Sequence, residues 1–334
     1  TLRVEVEDGR ECPSCLGNLG SWVAADKVTP AAEVWLWNAR QLAAEEVCSR
    51  KKNVATREKI RWLEMQLADA EPDMVAMLEV TGSVKQLKKL KGWFWRVGYH
   101  AVALPGEGGK AGSNANGIVL AMRKGGWRAT SQRRLESRAF GVVVKAESGE
   151  TVRVCVLHGH HNDGDGEGED ASFLDQINAG REFLGADGVM LADFNWVPCS
   201  CCRGEEYKLR EGDLALRSCG GPRCGRCGVG HDGTVGAGAF VWPSEIDVEG
   251  RKGTRRWVDA AGDLRYSYLD GACVWGGERG RWTHLENRWA ARGGVPDGLG
   301  DLSDHAVCCF RRAASRRVMQ SECRPKAVPI KLAP

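Results

Sequence analysis

Asn38, Glu79, His158, Asp193 with Asn195, Asp270, and Asp304 with His305 each follow or close a short run of Val, Ile, Leu or Ala. A fold that gathers them at one sheet edge holds four carboxylates, two imidazoles and two carboxamides together. Hard oxygen donors of this kind suit Mg²⁺, and the imidazoles and amides suit a phosphate ester and an activated water. Taken one at a time, each has a plainer use. Asn38 could cap a following helix and Asp193 could serve a turn. The spread of the set over most of the chain favours the chemical reading.

The elements that must position these residues follow from the local patterns. Val34 to Trp37 reads as a short buried strand leading to Asn38. From Ala55 to Leu67, Ile60, Leu63 and Leu67 recur at helical spacing with charges opposite. Pro72-Asp73 ends that helix, and Met74 to Leu78 starts the strand that leads to Glu79. Ser83 can cap a short basic helix through Leu90. Strands are expected at 97–103, 117–122, 139–146, 151–158, 188–193, 268–275 and 306–310, and a helix at 173–184. The pair 139–146 and 151–158, joined around Gly149, has the form of a hairpin. The Gly- and acid-rich stretch 163–170 reads as a solvated loop. There is no regular βαβ alternation, and no Gly-rich turn follows the first strand, which argues against a dinucleotide-binding fold. The expected class is α+β, a four-layer α/β sandwich of two packed mixed β-sheets flanked by helices.

With 334 residues, one α/β domain with insertions is the simplest organisation. The expected divisions are an irregular segment 1–32, a domain over 33–311 with a Cys-rich insert at 197–262, and a basic tail over 312–334. A formal charge of +3 provides no global basic field. Positive charge is local, with one group from Arg123 to Arg138, a second at Arg251, Lys252, Arg255 and Arg256, and a third from Arg311 to Arg317. Any one of them reads as a solvated face; three around a phosphoester site would suit a polyanion. No run of 18 apolar residues is present, and Thr1-Leu2-Arg3 opens no apolar signal segment. These features, with the missing initial Met, fit an intracellular protein of nucleus or cytoplasm, a processed product or a piece of a longer polypeptide.

The 14 cysteines do not read as a secreted scaffold. Cys48, Cys155, Cys273, Cys308 and Cys309 fall in regular patterns and are expected as reduced core residues. Cys219, Cys224, Cys227 and His231 have spacing that suits a structural Zn²⁺. An alternative pairs Cys12 and Cys15 with Cys224 and Cys227, and a Cys-rich insert without metal stays open beside both.

The ordered motifs resemble those of the endonuclease/exonuclease/phosphatase superfamily. They run Val34-Trp-Leu-Trp-Asn38-Ala-Arg40, Pro72-Asp-Met-Val-Ala-Met-Leu-Glu79, Asn116-Gly117, Leu191-Ala-Asp193-Phe-Asn195, Ser267-Tyr-Leu-Asp270 and Leu302-Ser-Asp304-His305. Each is weak alone; six in order, spread over residues 33–311, carry the resemblance. It implies a Mg²⁺ site (Mn²⁺ as an alternative) at Glu79 with Asn38 and Asp304. It further implies Asp193 orienting or deprotonating water, Asn195 and His305 donating to the phosphate, Asp270 holding His305, and His158 beside the scissile phosphate. Ala192 departs from the family's Gly, Gln41 from another Gly, and Gly159-His160-His161 from Ala-Pro-Asn.

Within the superfamily the chain looks like the DNA endonuclease of non-LTR retrotransposons, which lies upstream of a reverse transcriptase in one polyprotein. Trp196 would offer a stacking surface there. Alternatives on the same fold are an RNA deadenylase or a small-molecule phosphoesterase. An alternative of another class is a catalytically silent nucleic-acid-binding module.

Overall fold

The computed structural model describes residues 28–29, 31–44, 54–106, 116–159, 167–194, 239–241, 254–258, 261–262, 264–267, 270–278, 280–290 and 301–316. Asn195, Trp196, Cys12, Cys15, Cys48, Cys219, Cys224, Cys227, His231, Arg251, Lys252 and the loop 163–166 lie outside the described residues.

Strands β1 (Val28–Thr29), β2 (Ala32–Ala43) and β3 (Met74–Thr81) come first, with helix α1 (Val54–Ala70) between the last two. Helix α2 (Val84–Arg96) follows, then β4 (Tyr99–Leu104), β5 (Gly117–Arg123), β6 (Trp127–Glu136), β7 (Ala139–Ala146) and β8 (Thr151–His158). Helix α3 (Glu167–Leu184) leads to β9 (Gly188–Asp193). The remaining strands are β10 (Ala239–Val241), β11 (Arg255–Val258), β12 (Leu264–Ser267), β13 (Asp270–Trp275), β14 (Trp282–Arg288), β15 (Val307–Arg312) and β16 (Ser315–Arg316).

Two six-stranded mixed sheets form the body, in the orders β14-β15-β2-β3-β5-β4 and β10-β13-β9-β8-β7-β6. The pairs β2·β3 and β8·β9 are parallel and the others antiparallel. Side-chain alternation sorts the apolar residues into three layers of core. Leu36, Ala76, Leu120, Val154, Leu191 and Val274 meet between the sheets. Trp35, Trp37, Val75 and Met77 turn outward against Ile60, Leu63 and Leu67 of α1 and Leu87, Leu90 and Phe94 of α2. Cys155, Leu157 and Met190 turn outward against Ile177, Phe183 and Leu184 of α3. Both faces of the central strands are covered, so they read as continuous apolar runs rather than alternating ones. This is the expected four-layer sandwich.

The details depart from expectation at several places. Helix α2 begins at the Ser83 capping box but continues to Arg96, because Trp93 and Phe94 extend its buried face. Helix α3 starts at Glu167, so the second half of the acidic stretch 163–170 is helical rather than loop. Strand β6 was hidden by its composition: it is an edge strand exposed over most of its length, so little apolar alternation marks it. β14 is an edge strand as well.

At one end of the sandwich a buried ion cluster closes the core. Arg312, 1% exposed in its side chain, donates to Glu278 from Nε (2.7 Å) and Nη2 (2.8 Å) and to Glu150 from Nη2 (2.5 Å). Arg281 joins both acids at 3.0 Å. Among the described residues Cys155, Cys273, Cys308 and Cys309 are buried thiols, as expected. No helix among the described residues is long and apolar enough to cross a membrane.

Candidate active site

The opposite end of the sandwich gathers the polar residues. In β2, β8, β9 and β13, Asn38, His158, Asp193 and Asp270 each continue the alternation of residues that face the other sheet: Leu36, Val156, Leu191 and Ala272. They are the last inward positions of these strands, so they sit in the slot between the sheets. Strand register sets three of them side by side, His158 against Asp193 in the parallel pair and Asp193 against Asp270 in the antiparallel one.

Glu79 breaks this parity. Met74, Ala76 and Leu78 are the inward residues of β3, so a regular strand would turn Glu79 toward the helices. Instead Glu79 takes φ +52°, and the β3·β5 register shifts between Met77 and Val80. A β-bulge of this kind re-aims one side chain at a local conformational cost. A second irregularity lies opposite, between Asn38 and Leu42 of β2, where Arg40 has φ +44°. Gly117 accommodates the first bulge: a Cβ there would lie 2.4 Å from the Val80 carbonyl oxygen.

The two sheets are joined through Asn38. Its Nδ2 donates to Glu79 Oε1 and to Asp193 Oδ2, at 2.8 Å each, while its Oδ1 accepts from the Arg40 N–H at 2.9 Å. Its backbone carbonyl accepts from Ser303 Oγ at 2.8 Å, and Ser303 Oγ accepts from the His305 N–H at 3.2 Å. His158 Nε2 lies 3.4 Å from Glu79 Oε1 and 4.0 Å from Asp193 Oδ2. His305 Nδ1 is 2.8 Å from Asp270 Oδ2 and 3.7 Å from Asp193 Oδ2. The segment before β15 is held by β11: Arg256 donates from Nε and Nη2 to Asp301 at 2.6 Å each, and the Ala306 N–H donates to the Thr254 carbonyl.

Burial sets the electrostatics. Desolvation raises the Glu79 carboxyl, but the hydrogen bond and charge of His158 and the Asn38 amide outweigh it and hold it down to about 2. Burial pushes the Asp270 carboxyl up; the His305 charge opposes this and the Asp193 charge reinforces it. Burial would lower His305, but the charges of Asp270 and Asp193 carry it above its ordinary range. The imidazolium form is therefore favoured at neutral pH, with both ring nitrogens as donors.

The donor set of Glu79, His158 and Asp193 suits a divalent cation, with ligand atoms within 4.8 Å of one another. Asp193, Asp270 and His305 lie equally close, but the protonated His305 ring has no lone pair to offer a metal. Asn38 and Asp304 are differently engaged. The Asn38 oxygen is taken by the Arg40 amide, and its nitrogen faces the carboxylates. Asp304 is ion-paired to Arg255 at 3.0 Å and to Arg40 at 3.6 Å. Ligation by either would share its oxygens with those partners.

Comparison with solved structures comes to the same architecture. ANGEL2, a 2′,3′-cyclic phosphatase in complex with adenosine-2′,3′-vanadate, superposes with a TM-score of 0.52 at 13% identity, covering 85% of this chain and 96% of that one. TDP2 of D. rerio, complexed with a single-strand DNA product, gives 0.51 at 13% identity, covering 84% and 98%. The chain shares the two-sheet sandwich fold of these two structures. No protein-family model matches the chain. No curated protein matches it either.

Sequence reasoning missed several residues around the site. Ser303 was visible inside its motif but had no assigned part. Lys59 donates from Nζ to the Ala39 and Arg40 carbonyls at 2.7 Å each. Its signal was a lysine beside Ile60 and four residues before Leu63, on the apolar side of a helix. The basic groups also divide differently than expected. Arg123 pairs with Asp73 at the far end, and Arg312 is buried there. Arg133, Arg134 and Arg138 lie toward the site end, where the Arg138 carbonyl accepts from the His158 N–H.

Proposed function

We propose that this chain is a Mg²⁺-dependent phosphodiesterase and that its substrate is DNA, cut internally as by a retroelement endonuclease. The observation that carries the reading is the Asn38 amide holding Glu79 and Asp193, one acid from each sheet, at 2.8 Å each. A divalent cation at Glu79 would supply positive charge to the phosphate and to the leaving oxygen. Asp193, fully buried and next to His158 and His305, orients the attacking water and accepts its proton. His305, kept protonated by Asp270, donates to the phosphate oxygens as charge develops. Asn195 is assigned the part of a second donor from the motif it shares with Asp193.

The nucleic-acid part rests on charge at the mouth of the site. Arg40 and Arg255 pair with Asp304 on one side, and Arg134 and Arg138 belong to the site end of β6 and the turn after it; such cations suit phosphate contacts. The product bound to the TDP2 neighbour and the nucleotide analogue bound to ANGEL2 are chemically of this class. A small-molecule phosphoesterase would use the same centre without needing both groups of arginines; an RNA deadenylase would meet the same phosphate backbone and is separated from the DNA reading by the substrate assayed.

Nicking of supercoiled plasmid with Mg²⁺ tests the reading, with Glu79→Ala and Asp193→Ala beside the wild type. Cleavage that both substitutions and EDTA abolish is the expected result. Intact plasmid after incubation with folded wild type would reject DNA, and RNA and small phosphoesters would then be assayed at the same site.

A further inference from the structure

We infer that Lys59, on helix α1, is a positioning residue that sets the Asn38 amide between Glu79 and Asp193. This rests on the reading of that centre as a cation-dependent phosphoesterase site. Its evidence is a chain of contacts. The β2·β3 ladder pairs Asn38 with Leu78 and resumes only at Leu42 with Val80, so β2 spends four residues where β3 spends two. Backbone groups in such an excursion lose their ladder partners and need others. Lys59 provides two of them, its ammonium donating to the consecutive carbonyls of Ala39 and Arg40 at 2.7 Å each.

The excursion is what aims the amide. With Arg40 at φ +44°, its N–H points back to Asn38 Oδ1 at 2.9 Å. That bond fixes which end of the carboxamide faces the acids, leaving Nδ2 to bridge Glu79 and Asp193. A neutral side chain at position 59 would free the two carbonyls and allow the Arg40 peptide to relax, and the Asn38 amide with it.

The lysine is also an expensive choice for this place. It is 7% exposed. Burial, then the charge of Arg40, pushes it down to about 8, while Glu79 and Asp304 act to keep it charged. A residue serving only to pack α1 on the sheet would be apolar, as Ile60 and Leu63 are. Placing an ammonium here makes sense if its hydrogen bonds hold a strained segment.

A double-mutant cycle on Mn²⁺ binding tests this, using the full chain and electron paramagnetic resonance to count free Mn²⁺. Wild type, Lys59→Met, Asn38→Ala and the double variant are compared, with Lys59→Arg as the conservative control. Circular dichroism checks folding, and if Lys59→Met does not fold, Lys59→Gln replaces it in the same cycle. The expected result is Mn²⁺ binding weakened about tenfold by Lys59→Met and largely restored by Lys59→Arg, with little further loss when Lys59→Met is added to Asn38→Ala. Plasmid nicking would show kcat lowered by a similar factor with KM nearly unchanged. Additive losses, or wild-type affinity in the folded Lys59 variant, would overturn the positioning role while leaving the site intact. Failure of the wild type itself to bind Mn²⁺ would overturn the phosphoesterase reading and this inference together.

Discussion

His305 and Asp270 are joined Nδ1 to Oδ2 at 2.8 Å, both almost fully buried, at the junction of the two sheets. The carboxylate fixes the ring orientation and favours the imidazolium, and in the proposed mechanism Nε2 is then the donor for a phosphate oxygen. Asp270→Asn removes the charge that raises His305, and burial then lowers it. We expect kcat to fall about 10²-fold or more, and the alkaline limb of the kcat/KM profile to move to lower pH. An unchanged alkaline limb would show that another group titrates there.

Asn38 separates two acids that would otherwise repel. Asn38→Asp places a third carboxylate against Glu79 and Asp193, 2.8 Å from each by the present amide geometry. Protons are then retained in the cluster at neutral pH. The folded variant should lose activity below pH 7 more steeply than the wild type, and Asn38→Ala should lose activity evenly across pH. Steady-state rates from pH 5.5 to 9 distinguish the two.

Gly159 donates its N–H to the Asp193 carbonyl at 2.7 Å, and a Cβ there would stand 2.4 Å from the Phe194 carbonyl oxygen. Both atoms are backbone, so Gly159→Ala must move the Asp193 segment. Thermal unfolding should show a loss of about 1–3 kcal/mol. Single-turnover cleavage should fall further than stability does, because Asp193 shifts.

The far end offers a control. Arg312→Met removes one of the two arginines that hold buried Glu278 and partly buried Glu150, and leaves Arg281 on both. Losing the hydrogen bonds of the buried guanidinium should cost about 1–3 kcal/mol, to be read as a lower denaturation midpoint in urea. Activity per folded molecule at low temperature should be close to that of the wild type, because the cluster and the proposed active site lie at opposite ends of the strands.

The sequence by itself marked most of the buried strands and helices and several of the polar residues that the structure gathers at one end of the sandwich. Strand ends at His158, Asp193 and Asp270 were legible because apolar runs stop there, whereas β2 continues past Asn38 to Ala43 through an irregular stretch, and only the packing of both faces shows which side each residue takes. The Ser83 cap and the hairpin around Gly149 were legible from local chemistry. Tertiary structure decided what depends on distant partners. Glu79 reaches the slot only because β3 is bulged beside Gly117, which no periodicity announces. The Asn38 oxygen is occupied because Arg40 turns back on it, with Lys59 bracing the turn from a helix. β6 and β14 carry few apolar residues because each is an edge that one neighbour completes. Local pattern reports which face of a strand is buried; the aim of a side chain at a bulge is set by contacts made only once both sheets have packed.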